Sequence, residues 1–227
     1  MVVAVDGYSS TGKSTVAKLV AKKLGLMYID TGAMYRAVTY FALKSNLFNG
    51  EKVDEVRLKE LLPNVTVSFM AEPSTGKNLT CLNGECVENE IRGMEVSNRV
   101  SIIAAIGFVR QFLVEQQQAM GRVGNVIMDG RDIGTVVFPD AQVKFFMTAS
   151  PQVRAKRRYD ELIAKGDSVT YEEVEKNVLT RDYIDTHREV SPLVQADDAI
   201  VVDNGNMSIE ENVELMVNYI KERSNGN

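Results

Sequence analysis

One stretch near the N-terminus, Gly7-Tyr8-Ser9-Ser10-Thr11-Gly12-Lys13-Ser14, limits what this chain can become more than any other. It has the form G-x-x-x-x-G-K-S and directly follows the apolar run Met1 to Val5. A loop of this kind turns successive backbone N–H groups inward, and the positive end of the helix behind it reinforces the anion cradle. Lys13 adds a mobile positive charge for outer phosphates, and the Ser14 hydroxyl can ligate Mg²⁺. The run Thr15–Leu24, with Val16, Leu19, Val20 and Leu24 apolar, supplies the amphipathic helix that such a loop needs. Strand, loop and helix in that order predict a nucleoside triphosphate site rather than a plain glycine turn.

A chain of 227 residues, 44% hydrophobic and 25% charged, suits one α/β domain with an insertion, or two small domains. No apolar run approaches the roughly 20 residues that span a bilayer. The N-terminus also lacks the pattern of a secretion signal, so a cytoplasmic protein without a membrane partner is expected. The net charge of −5 argues against a general nucleic-acid coat, so phosphate binding has to come from locally clustered Arg and Lys. Cys81 and Cys86 flank Leu82-Asn83-Gly84-Glu85, a hairpin signal that places them opposite each other. Two thiolates do not complete a metal site, and so few cysteines fit a reducing compartment. His187 is the only histidine, which disfavours a Ser-His-Asp hydrolase and excludes a multi-histidine metal centre. No Asn-Lys-x-Asp stretch for guanine recognition occurs.

Five short β-rich segments alternate with helical patterns: Val2–Asp6, Met27–Asp30, Asn125–Asp129, Val143–Thr148 and Ala199–Asp203. Most lack polar alternation, as parallel strands covered on both faces do. Ser150-Pro151 starts a helix, and Thr170 with Glu173 and Ser208 with Glu211 form capping boxes. Ile209–Arg223 reads as a closing helix, followed by a polar, frayed tail. From Asn64 to Ile91 the pattern is strand-like instead: Val65–Met70, a turn over Pro73–Gly76, Leu79–Leu82, then Glu85–Val87. The expected fold is therefore α/β: a three-layer P-loop fold with a five-stranded parallel sheet, a small inserted antiparallel β domain and a helical lid. The boundaries are a core of 1–63 and 92–227, an insertion of 64–91, and a lid of 152–170.

Ligands of open α/β sheets sit outside the carboxyl ends of the strands. Two strand ends are notable: Asp30-Thr31-Gly32-Ala33-Met34-Tyr35-Arg36 and Asp129-Gly130-Arg131-Asp132-Ile133-Gly134. Thr31 is placed to cap a helix and Arg36 to project from its first turns toward the cleft. A carboxylate at position 129 beside a P-loop helps organise Mg²⁺ and its waters. Arg181, Asp185 and Arg188 share one helix face, which suits a ligand bearing phosphate and hydroxyl groups; a solvated ion-pair face has the same spacing. Arg154, Arg157 and Arg158 repel one another unless an anion neutralises them, and Lys165-Gly166-Asp167 follows, so this element reads as a basic lid over ATP or as a basic surface run.

Taken together, Gly7–Thr15, Asp30–Arg36, Ile91-Arg92 with Glu95-Val96, Ser101, Arg110, DGRDIGTVVFPD at Asp129–Asp140, the Arg154–Arg158 cluster, Arg181–Arg188 and Pro192-Leu193 resemble the bacterial cytidylate kinase family along essentially the whole chain. The resemblance implies transfer of phosphate from ATP, with Mg²⁺, to CMP or dCMP. It implies that Gly7 through Thr15, with Arg154 and Arg157, bind ATP, and that Lys13, Arg131, Arg158 and Arg181 act on the transferring phosphate. Ser101, Arg110 and Asp132 are implied as the cytosine-reading set. Arg36, Arg131 and Arg188 are implied as clamps on the CMP phosphate, Arg181 and Asp185 as sugar contacts, and Thr31 and Asp129 as further residues of the CMP site. The insertion is implied as an enlarged monophosphate-binding domain; a monomer is expected. Two positions depart from the family's usual wording: Thr31 stands where serine is common, and Tyr8-Ser9-Ser10-Thr11 replaces a loop that begins Gly-Pro.

The chemistry asks for no strong base, because a phosphate monoester whose second ionisation lies near pH 6 is already largely dianionic at neutral pH. Its difficulty is the repulsion of two polyanions, which Lys13, Mg²⁺ and the arginines would offset, with lid closure excluding water. Two other functions share the loop: a kinase for another small acceptor such as UMP, AMP or shikimate, and a nucleotide-dependent switch without catalysis. The acceptor set Ser101, Arg110 and Asp132 separates the first; the switch leaves three arginine groups without a common purpose.

Overall fold

The computed structural model describes residues 1–72 and 78–225. The turn expected at Pro73–Gly76 and the last residues of the polar tail lie outside them. The chain forms two compact units, Met1–Asp30 with Gln116–Asn227, and Thr31–Glu115.

The first unit is built on five strands: β1 (Val2–Gly7), β2 (Met27–Asp30), β8 (Val126–Asp129), β9 (Val143–Thr148) and β10 (Ile200–Asp203). All neighbours pair in parallel, in the order β10-β9-β1-β8-β2. The expected strand segments are therefore found to within a residue, with β1 in the centre of the sheet. Val3, Val5, Ile127, Phe145, Met147 and Val202 of the strands share one core with Val16, Ala17 and Val20 of α1 (Lys13–Leu24) and Met216, Val217 and Ile220 of α8 (Ile209–Asn225). Leu19 departs from expectation: it is exposed, because the buried stripe of α1 runs through Val16, Ala17, Val20 and Ala21.

The helix boundaries follow their capping chemistry. Ser150 accepts from Val153 N at 3.3 Å and Pro151 opens α6 (Pro151–Ala164). Thr170 and Glu173 close the expected capping box of α7 (Tyr171–His187). Ser208 and Glu211 bond reciprocally at the start of α8, Ser208 N to Glu211 Oε2 at 2.7 Å and Glu211 N to Ser208 Oγ at 3.1 Å.

The second unit holds α2 (Thr31–Lys44), a two-stranded hairpin β3 (Phe48–Asn49) and β4 (Lys52–Val53), α3 (Glu55–Leu61), and the antiparallel sheet β5 (Val67–Ala71), β6 (Asn78–Leu82) and β7 (Glu85–Cys86). It also holds α4 (Met94–Ala105) and the first part of α5 (Gly107–Gly121). Asn83 and Gly84, at φ 50° and 86°, form the two-residue turn, and Cys81 pairs with Cys86 as the hairpin signal requires. Both cysteines are free thiols. The β3–β4 hairpin, turning at Gly50 with φ 64°, was not expected.

Gly7 ends β1 at φ 143°, and a Cβ there would lie 2.0 Å from the Met147 carbonyl oxygen of β9. The loop can leave the sheet only because this position has no side chain. Gly7→Ala is expected to cost about 3 kcal/mol, roughly 6–12 °C in melting temperature. Thermal unfolding of the purified variant checks this.

Candidate active site

At the N-terminus of α1, Ser10 (φ 60°) and Gly12 (φ 86°) take the left-handed conformation that brings the loop back to the helix. Lys13 lies inside the loop, donating to the Tyr8 carbonyl at 2.6 Å and approaching the Thr11 hydroxyl at 3.3 Å. Burial, with the nearby Arg131, pushes its ammonium down to about 7. A polyanion held by the loop amides would favour the charged form and so oppose the shift.

Three side chains brace the loop from outside. Arg154 of α6 is 2% exposed. Its Nε donates to Ala149 O at 2.9 Å, its Nη1 to Ser9 O at 3.1 Å, and its guanidinium lies 5.1 Å from the centre of the Tyr8 ring. Asp182 of α7 pairs with Arg154 Nη1 at 2.6 Å and accepts from Ser9 N at 3.4 Å. Tyr8 also meets Phe146 edge-on, with centroids 5.8 Å apart. On the other side Asn204, just after β10, donates to Thr11 O at 2.6 Å and is held by Arg157 at 3.1 and 2.8 Å. Two of the expected lid arginines thus turn much of their bonding capacity toward the loop's own backbone and its supports. Arg158 pairs with Glu161 at 2.9 Å. Asp182 and Asn204 carry no spacing signal in the sequence; their roles depend on residues more than 140 positions away.

Ser14 Oγ donates to Asp129 Oδ2 at 2.8 Å, and Tyr28 OH donates to Asp129 Oδ1 at 2.6 Å. Burial and the charge of Asp30 push Asp129 up to about 6. Two facing carboxylates beside a hydroxyl are hard oxygen donors with surplus negative charge, which fits Mg²⁺. Among the described residues no cluster of three or more His, Cys, Asp or Glu side chains forms a metal cage.

In the same unit, three guanidiniums converge on Asp185. Arg131 Nε donates to Asp185 Oδ2 at 2.7 Å, and Arg188 Nη1 lies 3.9 Å from Oδ1. Burial alone would push Asp185 up, but Arg131, Arg181 and Arg188 hold it below the ordinary carboxylate range. Arg181 Nε is buried without a hydrogen-bond partner among the described residues, and burial together with Arg131 pushes this guanidinium down to about 10. Arg188 Nη2 also lies 3.9 Å from Asp132 Oδ1. Arg188 lies just past the end of α7 in extended backbone, so Arg181, Asp185 and Arg188 do not share one helix face as expected. With Arg131 they form a cationic cluster in which Asp185 and Arg188 are buried and Arg131 and Arg181 half-buried, rather than a solvated ion-pair face. Asp132 precedes a single π-helical turn, Ile133–Val137, which the sequence pattern did not anticipate.

In the second unit, α2 begins at Thr31 itself, which is buried. Arg36 is buried and donates to Ile91 O at 2.9 Å and Ser97 Oγ at 3.1 Å. Ser101 on α4 and Arg110 on α5 are buried; Arg110 donates to Ala104 O at 3.0 Å and lies 5.3 Å from the Tyr35 ring centre. A surface role for these polar side chains is thereby excluded.

A family model described as cytidylate kinase matches residues 3–222. A cytidylate kinase of Parabacteroides distasonis is 58% identical over 211 residues, covering 93% of this chain and 92% of that protein. One of Bacteroides thetaiotaomicron is 54% identical over 214 residues, covering 94% and 93%. An uncharacterized protein from Eubacterium ventriosum, solved by crystallography, is similar in fold at 12% identity and TM-score 0.53 over 98% of both chains. The resemblance drawn from the motifs holds over nearly the whole chain. No helix among the described residues is long and apolar enough to cross a membrane.

Proposed function

Because this chain belongs to the cytidylate kinase family, we propose that it transfers the γ-phosphate of ATP to CMP or dCMP, giving ADP and CDP or dCDP. The observation that carries this reading is the cluster of Arg131, Arg181 and Arg188 around one carboxylate, with Arg181 Nε buried and lacking a hydrogen-bond partner among the described residues. Three positive charges against Asp185 leave a surplus that a dianionic phosphate monoester would balance. A nucleotide switch has no use for such a cluster.

The donor is assigned to the amides of Gly7 through Thr15, to Lys13, and to Arg157 and Arg158. Arg154 serves the donor by holding the Ser9 carbonyl and the Tyr8 ring in place. Mg²⁺ would be held by Ser14 with Asp129 close by, and when bound it neutralises phosphate charge. The acceptor is assigned to Thr31, Arg36, Ser101, Arg110, Asp129, Arg131, Asp132, Arg181, Asp185 and Arg188, with Ser101, Arg110 and Asp132 reading the base. Segment 64–91 is assigned to the acceptor and 152–170 to the lid. Lys13, Arg131, Arg158 and Arg181 offset charge on the transferred group, and no residue need remove a proton from a monoester already dianionic at neutral pH. The chain is proposed to act as a cytoplasmic monomer.

The experiment is ADP release with Mg-ATP and a panel of CMP, dCMP, UMP, AMP and shikimate. CMP and dCMP are expected as the preferred acceptors; preference for any other member overturns the reading. The bracing role of Arg154 yields a separate expectation. Arg154→Met should raise KM for ATP roughly tenfold, as the loss of a charge-assisted hydrogen bond to a loop carbonyl implies, with KM for CMP changed much less. Steady-state kinetics in both substrates checks it.

A further inference from the structure

The segment Asp129–Gly134 carries two proposed acceptor residues, Arg131 and Asp132, so its backbone has to be held in place. Asp132 occupies the N-cap position of the π-helical turn, where an aspartate ordinarily accepts from the exposed N–H groups with its own carboxylate. It makes no such cap bond. The amides are satisfied from β1 instead: Ile133 N donates to Asp6 Oδ1 at 2.9 Å and Gly134 N to Asp6 Oδ2 at 2.7 Å. At the other end of the segment, Gly130 N donates to Val5 O at 3.0 Å. Both ends are thus pinned to the same strand.

The approach of Asp6 is tight. A Cβ at Gly134 would lie 3.0 Å from Lys144 Cδ and 3.4 Å from Asp6 Oδ2. Asp6 is 5% exposed, and burial pushes its carboxyl up to about 6 even though the amides of Gly134 and Ile133 pull it down. A carboxylate kept at such cost, with one oxygen for each of two consecutive amides, does what asparagine cannot, since an amide side chain offers a single acceptor oxygen.

We propose that Asp6, although it immediately precedes the donor loop in sequence, is a positioning residue for the acceptor: it caps the turn at Ile133 and Gly134 in place of Asp132, and so fixes the backbone that carries Arg131 and Asp132. The neighbouring geometry agrees, with Arg131 joined to Asp185 and Asp132 facing Arg188. The inference rests on the acceptor assignment made above.

Steady-state kinetics of Asp6→Asn and Asp6→Glu, with hydrogen exchange at the Ile133 and Gly134 amides, tests it. Asp6→Asn should raise KM for CMP roughly tenfold to a hundredfold, the scale of losing a charge-assisted bond, and leave KM for Mg-ATP little changed. Exchange at the two amides should quicken by roughly tenfold in that variant. Asp6→Glu, which keeps both oxygens, should recover part of the CMP effect. An unchanged KM for CMP, or an equal rise in both KM values, overturns the proposal. Should Asp6→Asn not fold, the wild-type chain still decides: slow exchange at both amides is required, and fast exchange overturns the cap. A wild-type protein that ignores CMP would defeat the functional reading instead, while leaving the exchange result to judge the cap.

Discussion

Lys13→Met is expected to lower turnover by roughly two to four orders of magnitude while leaving the fold intact, because charge neutralisation at the transferred phosphate is the chemistry itself. The energetics separate the two effects. Lys13 is buried, and its ammonium is pushed down to about 7 by that burial and by Arg131. Holding the charge there therefore costs stability wherever the pH lies below the ordinary lysine value. Methionine fills similar space without the charge, so the variant should melt no lower than the wild-type protein, although the bond to Tyr8 O is lost. Turnover and melting temperature measured on one preparation decide the matter. Near-normal turnover sinks the mechanism, and a collapsed melting curve sinks the assignment of Lys13 to chemistry rather than framework.

Asp185→Ala should fail in the opposite way, losing acceptor use and stability together. The carboxylate is 4% exposed and joined to Arg131 at 2.7 Å. Its removal leaves Arg131, Arg181 and Arg188 facing one another, and breaking a buried pair in this manner costs about 3–5 kcal/mol. The folded-state pKa of Asp185 is held below the ordinary value, so its contribution is present above about pH 4 and is lost as pH falls further. Acid unfolding of Asp185→Asn should therefore lack the part of the pH dependence that the wild-type protein shows below that point. The test is urea unfolding at neutral and acid pH, with CMP added to one series. CMP should restore stability to the variant by supplying the missing anion, and variant stability equal to wild type without CMP counts against the cluster.

Much of this could be read from the residues, for reasons that are local. Parallel strands covered on both faces appear as apolar runs, and Thr170 with Glu173 caps its helix through bonds only three residues apart. Asn83-Gly84 specified the turn that sets Cys81 against Cys86. The rest depends on packing between distant segments. Nothing in a strand's own sequence says that β1 lies between β9 and β8. Nor does spacing distinguish Asp182 from its neighbour Arg181, although one braces the loop through Ser9 and Arg154 while the other joins the cationic cluster. Asp6 did leave a trace, a charge at the end of an apolar strand, but its meaning required Ile133 and Gly134 to be placed beside it. Leu19 shows the converse error, since hydrophobicity marks what can be buried and not what is.

The bracing of the donor loop has a consequence for the order in which the molecule can be assembled. Residues 8–14 leave a ribosome well before the side chains that hold them, which come 145, 173 and 193 residues later, at Arg154, Asp182 and Asn204. Closing such long loops is paid for before any local reward, so the shape of the cradle belongs to the late, cooperative part of folding. A nascent chain stalled before Asn204 would carry the whole G-x-x-x-x-G-K-S signature and still lack a finished grip on nucleotide. The stretch that declares itself first in the sequence is completed last in the structure.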